Sequence, residues 1–435
     1  MLRVYVRGRK DASAVKAALS RFFPRWDTPV ETLRGVRGEA LIKAIEEIGN
    51  DHFSLFLLGR DEIEIKDLRL SPLKHVHLMR TRKVRSARLA EIAKEVEVGR
   101  SGFRNTPGYR RGCFPVREPV DYLEEVYADP ANDPFYIIGE RVAHNLARAL
   151  NLPRIPVNAL VVRRRGGIHT LYLSRQHTIA YRVRDNGVGL NYLGGGVDIV
   201  ENLRNPLDCS LDALREYARV SEEFIRRVYG GGRVAVPVSG GKDSATVLDL
   251  AVRALGAEKV IAIYADTGVD FAQNKEAAEA LATMLGTDFM VVKAPVKELL
   301  GPKGFPTHER RWCTEVKTAA LEAAIREKGA SLALLGDRDA ESRGRVLKPF
   351  VERVSGTVRA YPIRLWSTGM TQLYVLSRGL PVSPLYASGF YRVGCYICPS
   401  LRSWELWLLM NDDAVREGVN EGLLGEFLRR RLGGV

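Results

Sequence analysis

The chain has 435 residues, 46% hydrophobic and 27% charged, with a formal net charge of +14. These are globular values, and the length points to two or three domains rather than one core. No run of about 18 apolar residues occurs and the opening "MLRVYVRGRKDAS" has no apolar signal-peptide core, so neither a membrane span nor a secreted product is expected. The expected location is the cytoplasm. The basic excess suits an anionic substrate or a polyanionic partner, and equally an Arg-rich thermophile surface.

Residues 1–75 read as a small α/β domain: strand "LRVYV", helix "DASAVKAALSRFF", helix "EALIKAIEEIG", strand "HFSLFLLG". Residues 76–200 read as a basic, partly β-rich region. Within it, residues 79–111 carry ten Lys or Arg against three Glu, with Phe103 and Tyr109 among the arginines. Aromatics among arginines suit base stacking and phosphate contact, which nominates Arg82, Lys83, Arg85, Arg104, Arg110 and Arg111 for nucleic-acid binding. The plainer reading is a solvated helix and loop. Segments "YLEEVY" and "GERVAHNLARAL" look helical. "IPVNALVVRRR", "GIHTLYLS" and "HTIAYRV" look like strands, followed by glycine-rich "NGVGLNYLGGGVD". The pair His75-x-His77 reads as a strand surface rather than a metal site. A helix over 201–230 connects to the rest and stops at Gly230, Gly231 and Gly232.

From 231 to 405 strands and helices alternate, which argues for a parallel sheet with helices on both faces; 406–435 reads as a helical tail. In such sheets ligands sit at the carboxyl ends of strands. The unusual residues fall there. "VAVPVSGGKDSATVLDLA" places Ser239, Gly240, Gly241, Lys242, Asp243 and Ser244 between a strand and a helix. Glycines let the backbone approach a ligand, and N–H groups at a helix start make an anion nest. Lys242 adds charge, and Asp243 suits Mg²⁺ or the helix cap. Asp266 and Gly268 follow the next strand; Gly336 and Arg338 follow a later one.

SGGKDS after a strand resembles the PP-loop of the adenine-nucleotide α-hydrolase-like superfamily. "YADTG" (264–268), "GDRDAESRGR" (336–345) and "PLYASGFYRVGCYICP" (384–399) resemble motifs of its phosphoadenosine phosphosulfate (PAPS) reductase family. The resemblance covers roughly 230–405 and not the preceding residues. It implies a Rossmann-like domain binding an adenine nucleotide through Ser239–Ser244, Asp266, Gly268, Gly336, Arg338 and Arg343. Arg392 and Lys348 join Arg338 and Arg343 as candidates for sulfate or phosphate contact. The expected fold class is therefore α/β, a PP-loop domain with a parallel sheet in the C-terminal half, preceded by smaller α/β and β-rich domains.

The five cysteines are Cys113, Cys209, Cys313, Cys395 and Cys398. A disulfide framework is not expected of scattered cysteines in a cytosolic chain. Cys-x-x-Cys is a soft-metal half-site. Plant-type adenylylsulfate reductases of the family pair such a motif with a Cys-Cys dipeptide around an iron–sulfur cluster; here Trp312 replaces the first cysteine of that dipeptide. Three thiolates remain, Cys313, Cys395 and Cys398, with His308, Cys113 or Cys209 as candidate closing ligands. Zinc and free cysteines are the alternatives.

Lys242 is retained, as in family members that cleave ATP between the α and β phosphates, and no cysteine follows Cys398 to serve as the reductase nucleophile. The leading expectation is ATP- and Mg²⁺-dependent adenylation and sulfur transfer to a nucleic acid, tRNA first. Lys242, Asp243 and Cys313 would be catalytic and an iron–sulfur cluster the cofactor. The alternative is a reductase acting on PAPS or adenylylsulfate and releasing sulfite. A non-enzymatic nucleotide- or RNA-binding protein is a third reading, disfavoured by the intact loop. The oligomeric state is left open.

Overall fold

Apolar, β-branched runs form the central strands of three sheets. The structure is a computed structural model, and it describes residues 1–196 and 202–433. In chain order the first sheet holds β1 (Leu2–Val6), β2 (Val30–Thr32), β3 (Phe53–Leu58) and β4 (Lys74–Leu78), all parallel, in the order β2-β1-β3-β4. Helices α1 (Arg9–Phe22), α2 (Glu39–Glu47) and α3 (Leu89–Ser101) accompany it. Strand β2 was not evident from sequence, while β4 is the strand read at His75-x-His77. On β4, His75 and His77 are buried rather than surface residues. His77 Nε2 lies 2.6 Å from Glu95 Oε2.

The second sheet is an antiparallel meander of β5 (Asp133–Tyr136), β6 (Leu160–Arg163), β7 (Ile168–Tyr172), β8 (Thr178–Val183) and β9 (Leu190–Gly195). Three of these strands match the sequence reading. The short β5, with Pro134 inside it, does not look like a strand in isolation. "YLEEVY" shrinks to a single turn, α4 (Glu124–Tyr127), whereas α5 (Glu140–Leu150) forms as expected. The part of "NGVGLNYLGGGVD" from residue 197 onward lies outside the described residues.

Helix α6 (Leu211–Val228) leads to the third sheet. That sheet contains β10 (Arg233–Val238), β11 (Val260–Asp266), β12 (Asp288–Lys293), β13 (Ala330–Leu334), β14 (Val351–Val354) and β15 (Thr357–Ala360). Its order is β12-β11-β10-β13-β15-β14, parallel except for the edge strand β14, which pairs antiparallel with β15. Its helices are α7 (Lys242–Leu255), α8 (Ala272–Leu285), α9 (Val296–Lys303), α10 (Trp312–Glu327), α11 (Arg343–Val346) and α12 (Thr368–Arg378). The remaining helices are α13 (Leu385–Ser388), α14 (Ser403–Asn411), α15 (Asp413–Arg416) and α16 (Glu421–Leu432). The hairpin β14–β15 was missed because its tip Ser355-Gly356 is flanked by charged residues that break the apolar pattern.

One hydrophobic cluster runs from Leu2 to Phe427. Helix α6 joins its halves: buried Tyr217 packs edge-on against Phe53 of the first sheet and Trp366 beside the third. Among the described residues no helix is long and apolar enough to cross a membrane.

Cys113 and Cys209 form a disulfide across 96 residues. This corrects the expectation that the chain carries no disulfide, and it withdraws both from the candidate closing ligands of a metal site. Such bonds persist in oxidising compartments and in intracellular proteins of hyperthermophiles.

Candidate active site

Strand β10 delivers the chain to Ser239, and α7 starts at Lys242. Gly240 turns the corner with φ +71°, and a Cβ there would lie 2.2 Å from the Asn274 carbonyl oxygen of α8. Only glycine fits. Ser244 closes the loop on itself: its Oγ donates to the Gly241 carbonyl at 2.9 Å and accepts from the Ser239 N–H at 3.3 Å. Tyr386 Oη accepts from the Lys242 N–H at 3.2 Å. The first turn of α7 is left to present its N–H groups and positive dipole end to an anion.

Around this turn lies a buried network of charge. The Lys242 ammonium is 3.0 Å from Asp243 Oδ2 and sits over the Tyr386 ring. Arg338 Nε donates to Asp243 Oδ1 at 2.9 Å, and Arg338 Nη2 donates to Thr368 Oγ1 at 2.9 Å. Arg338 Nη1 lies 3.5 Å from Asp133 Oδ2. Asp133 also accepts from the Thr368 N–H (2.8 Å), Thr368 Oγ1 (2.8 Å) and Tyr391 Oη (2.7 Å). Burial opposes ionisation of Asp133, but the guanidiniums of Arg338 and Arg163 outweigh it and hold the acid well below the usual carboxylate range. Asp243 is likewise lowered: burial works against the anion, and Arg338 and Lys242 win. Lys242, Arg338 and Arg163 thus face two carboxylates at a helix N-terminus, and the balance is positive.

A cavity of about 240 Å³ opens from Lys242, Asp243 and Arg338. Its far wall comes from the antiparallel sheet (Phe135, Arg163, His169, Tyr181) and from the segment after the Cys-x-x-Cys motif (Arg402, Trp404). The β-rich region, read from sequence as part of a nucleic-acid-binding candidate over 76–200, walls the site. Asp133, Arg163, Thr368 and Tyr391 were missed. Each is an ordinary residue in its local sequence, and only the tertiary fold brings them to the loop.

The other sequence candidates divide. Asp266 ends β11, and its Oδ1 accepts the Gly268 N–H at 2.9 Å; Gly268 has φ +71°, and a Cβ there would meet Lys297 at 2.9 Å. Gly336 packs tightly on the start of α7, where a Cβ would lie 3.1 Å from the Asp243 carbonyl carbon. Arg343 points away from the loop to Glu97, and Lys348 pairs with Asp337 at 3.1 Å. Arg392 lines the cavity.

The three free thiols gather beside the β11 loop. Cys395 Sγ lies 3.3 Å from Asp270 Oδ1 and 3.4 Å from Thr267 Oγ1, and the backbones of Asp270 and Cys395 form a bridge. Cys398 is near enough for its charge to raise the thiol pKa of both Cys313 and Cys395. Burial first, then Asp270, pushes the Cys395 thiol well above its ordinary value; burial and then Cys398 raise Cys313. Both stay protonated at neutral pH. Soft thiols suit iron or zinc by type. Yet among the described residues no group of three His, Cys, Asp or Glu side chains is arranged to hold a metal ion. His308 lines the cavity and lies 3.4 Å from Arg431 Nη2. As arranged, the three thiols do not make a metal centre, and no chemical step is assigned to one.

Of the nucleic-acid candidates, Arg104 is 2% exposed and donates to the Pro130 carbonyl at 2.5 Å, so it is closed to a polyanion. Phe103 is fully buried and is no stacking platform. Arg82, Arg85, Arg110 and Arg111 are exposed and Lys83 is half-buried. Arg82 pairs with Asp61 (3.1 Å), Arg85 with Asp11 (3.2 Å) and Arg110 with Glu118 (3.4 Å).

A glycine turn, a strand–loop–helix anion nest and a parallel sheet define a PP-loop nucleotide-binding domain. Residues 233–401 match the family model described as phosphoadenosine phosphosulfate reductase domain. An uncharacterized protein of Methanocaldococcus jannaschii is 29% identical over 254 residues, which is 52% of this chain and 52% of that protein. The chain thus spans about half of that relative's length. An adenosine 5'-phosphosulfate reductase of Chelativorans sp. is 28% identical over 206 residues, 44% of this chain and 82% of that protein. An NH3-dependent NAD+ synthetase of Archaeoglobus fulgidus is 44% identical over 75 residues, 16% of this chain and 30% of that protein. These similarities are consistent with nucleotide binding and sulfur metabolism.

Proposed function

We propose that the protein is an ATP-dependent adenylating enzyme that prepares an acceptor for sulfur transfer, the acceptor being a nucleic acid, tRNA first. One observation carries the reading: Lys242 is buried at the start of α7 and shares Asp243 with Arg338, where a pyrophosphate leaving group needs cations. An acceptor oxygen attacks the α-phosphorus of Mg-ATP, and the α–β P–O bond breaks. Pyrophosphate leaves with the bond's electrons, its charge offset by Lys242, Mg²⁺ and the helix terminus. A sulfur nucleophile, sulfide or persulfide, then attacks the activated carbon, and AMP departs with its oxygen. The net charge of +14 supports a polyanionic acceptor. Cys313, Cys395 and Cys398 are the proposed sulfur-handling group.

Protein purified without oxygen is expected to release AMP and pyrophosphate from Mg-ATP, faster with bulk tRNA. Lys242→Ala is expected to lower the rate by about 100-fold or more, the scale for losing one charge-stabilising group. A second reading, sulfonucleotide reduction, is favoured by the adenosine 5'-phosphosulfate reductase relative matched over 82% of its length. Sulfite released from adenylylsulfate or PAPS, without ATP cleavage, would establish it instead.

A further inference from the structure

We propose that the cavity between the phosphate loop and the antiparallel sheet is the acceptor's pocket, and that it takes a nucleobase: a flat heteroaromatic ring with an exocyclic oxygen. The inference deepens the adenylation reading and rests on it.

Position is the first argument. Ser239, Gly240, Asp266 and Gly268 do not line the cavity; of the expected nucleotide-binding residues only Lys242, Asp243 and Arg338 reach it. A nucleotide lying over the carboxyl ends of β10 and β11 brings its phosphates to the cavity mouth. The space beyond is then left for whatever attacks the α-phosphorus. Its volume of about 240 Å³ falls below the roughly 300–1,000 Å³ of pockets that enclose whole ligands, and suits one ring system.

The walls are the second argument. His169 and Tyr181 stack with ring centroids 5.1 Å apart and planes 16° apart. Phe135 stands edge-on to His169 at 6.2 Å and to Tyr391 at 5.1 Å. Trp404 completes the ring lining. Unstacked bases are held by such aromatic surfaces.

Polar groups are the third. The Gly167 carbonyl can only accept, so the 2.9 Å contact fixes the proton on His169 Nδ1 and leaves Nε2 as an acceptor. Burial pushes this imidazole down to about 3, so the ring stays neutral. Toward the loop the Arg163 guanidinium lines the cavity, its side chain 18% exposed. That donor suits the exocyclic oxygen that must be aligned for attack. A neutral acceptor at one end and a cationic donor at the other make a polarised slot for a base.

The test uses the full chain with cytidine, uridine, adenosine and guanosine as uncharged probes, read by intrinsic fluorescence, since Trp404 is on the wall. Equilibrium dialysis of labelled ATP runs in parallel. Val183 lines the cavity away from the loop, so Val183→Trp fills the pocket; Leu146→Phe does the same from another wall if the first variant melts early. At least one nucleoside is expected to bind wild type saturably. Filling is expected to weaken it tenfold or more while ATP affinity changes less than twofold. The proposal is overturned if no nucleoside binds wild type, if filled variants bind as wild type does, or if filling costs tenfold in ATP affinity, which would make this the nucleotide's own pocket. Lys242-dependent AMP release surviving any of these leaves adenylation standing; nucleoside binding without AMP release sinks adenylation and keeps the pocket.

Discussion

Two stretches of this chain look equally anionophilic in sequence, and the fold treats them in opposite ways. At 239–244 a single lysine, a helix terminus and, from elsewhere, Arg338 and Arg163 converge on one cavity. Over 79–111 ten basic residues disperse. Arg100 is buried, its Nε 2.8 Å from Asp339 Oδ2 and its guanidinium over the rings of Trp26 and Phe350. Arg104 is buried on a carbonyl, and Arg85 turns to buried Asp11. Charge count does not make a binding site; convergence on a concave, partly desolvated point does. Arg100 ties α3 to the PP-loop domain through Asp339, whereas Arg82, Arg85, Arg104 and Arg110 find their partners within the N-terminal half.

The comparison breaks most sharply at Arg100. Arg100→Met leaves Asp339 with Arg364 as its close partner and removes a cation from two rings. Loss of one member of a buried ion pair costs about 3–5 kcal/mol. Denaturant unfolding should show that loss, while ATP affinity of the folded fraction stays at wild type. A stable Arg100→Met protein would mean that the basic stretch is not structural. Gly240→Ala should do the reverse. The added Cβ meets the Asn274 carbonyl oxygen at a left-handed φ, so ATP binding should fall tenfold or more for a stability loss of about 1–3 kcal/mol. Wild-type ATP affinity in that variant would show the loop is not the phosphate site.

How much of this was legible is itself unequal. The PP-loop half was readable because a buried parallel strand, a glycine corner and an amphipathic helix are local signals, and Gly240 carries its reason in its own backbone. The same holds for β11, α8 and β12. The far wall was not readable. β5 is four residues with an internal proline, and Asp133 gains its meaning from Arg338, Thr368 and Tyr391, more than 200 residues away. Cys113 and Cys209 were unreadable for the same reason: their pairing depends on a fold that brings together residues 96 apart. Residue type was misleading where burial reversed it, as at Arg104 and His75.

An intermediate effect is expected at Asp133. Its folded pKa is depressed below the unfolded value near 3.8, so its contribution is fully present above that value and is lost as pH falls through the folded pKa. Wild type should therefore lose stability below about pH 4. Asp133→Asn should be less stable at pH 7 and show a flatter acid limb, because it has no carboxylate to protonate while Arg338 and Arg163 lose a counter-charge. Equal acid limbs in chemical denaturation would show that the network is not coupled through Asp133.

The smallest effect should come from the dispersed surface charges. Arg82 is 73% exposed at its side chain and pairs with Asp61, and Arg111 is exposed. If tRNA lies over this stretch, each contact contributes one released counterion, and replacing either residue by alanine should reduce the slope of log affinity against log salt by about 1. ATP cleavage without RNA should not change. Arg104→Ala should differ: buried and bonded to a carbonyl, it should alter stability and leave the salt slope where it was. An unchanged slope in Arg82→Ala and Arg111→Ala would move the RNA off this face altogether. The cavity's Arg392 and Arg402 would then be candidates to guide a polyanion, and convergence at the loop would account for RNA binding as well as for nucleotide binding.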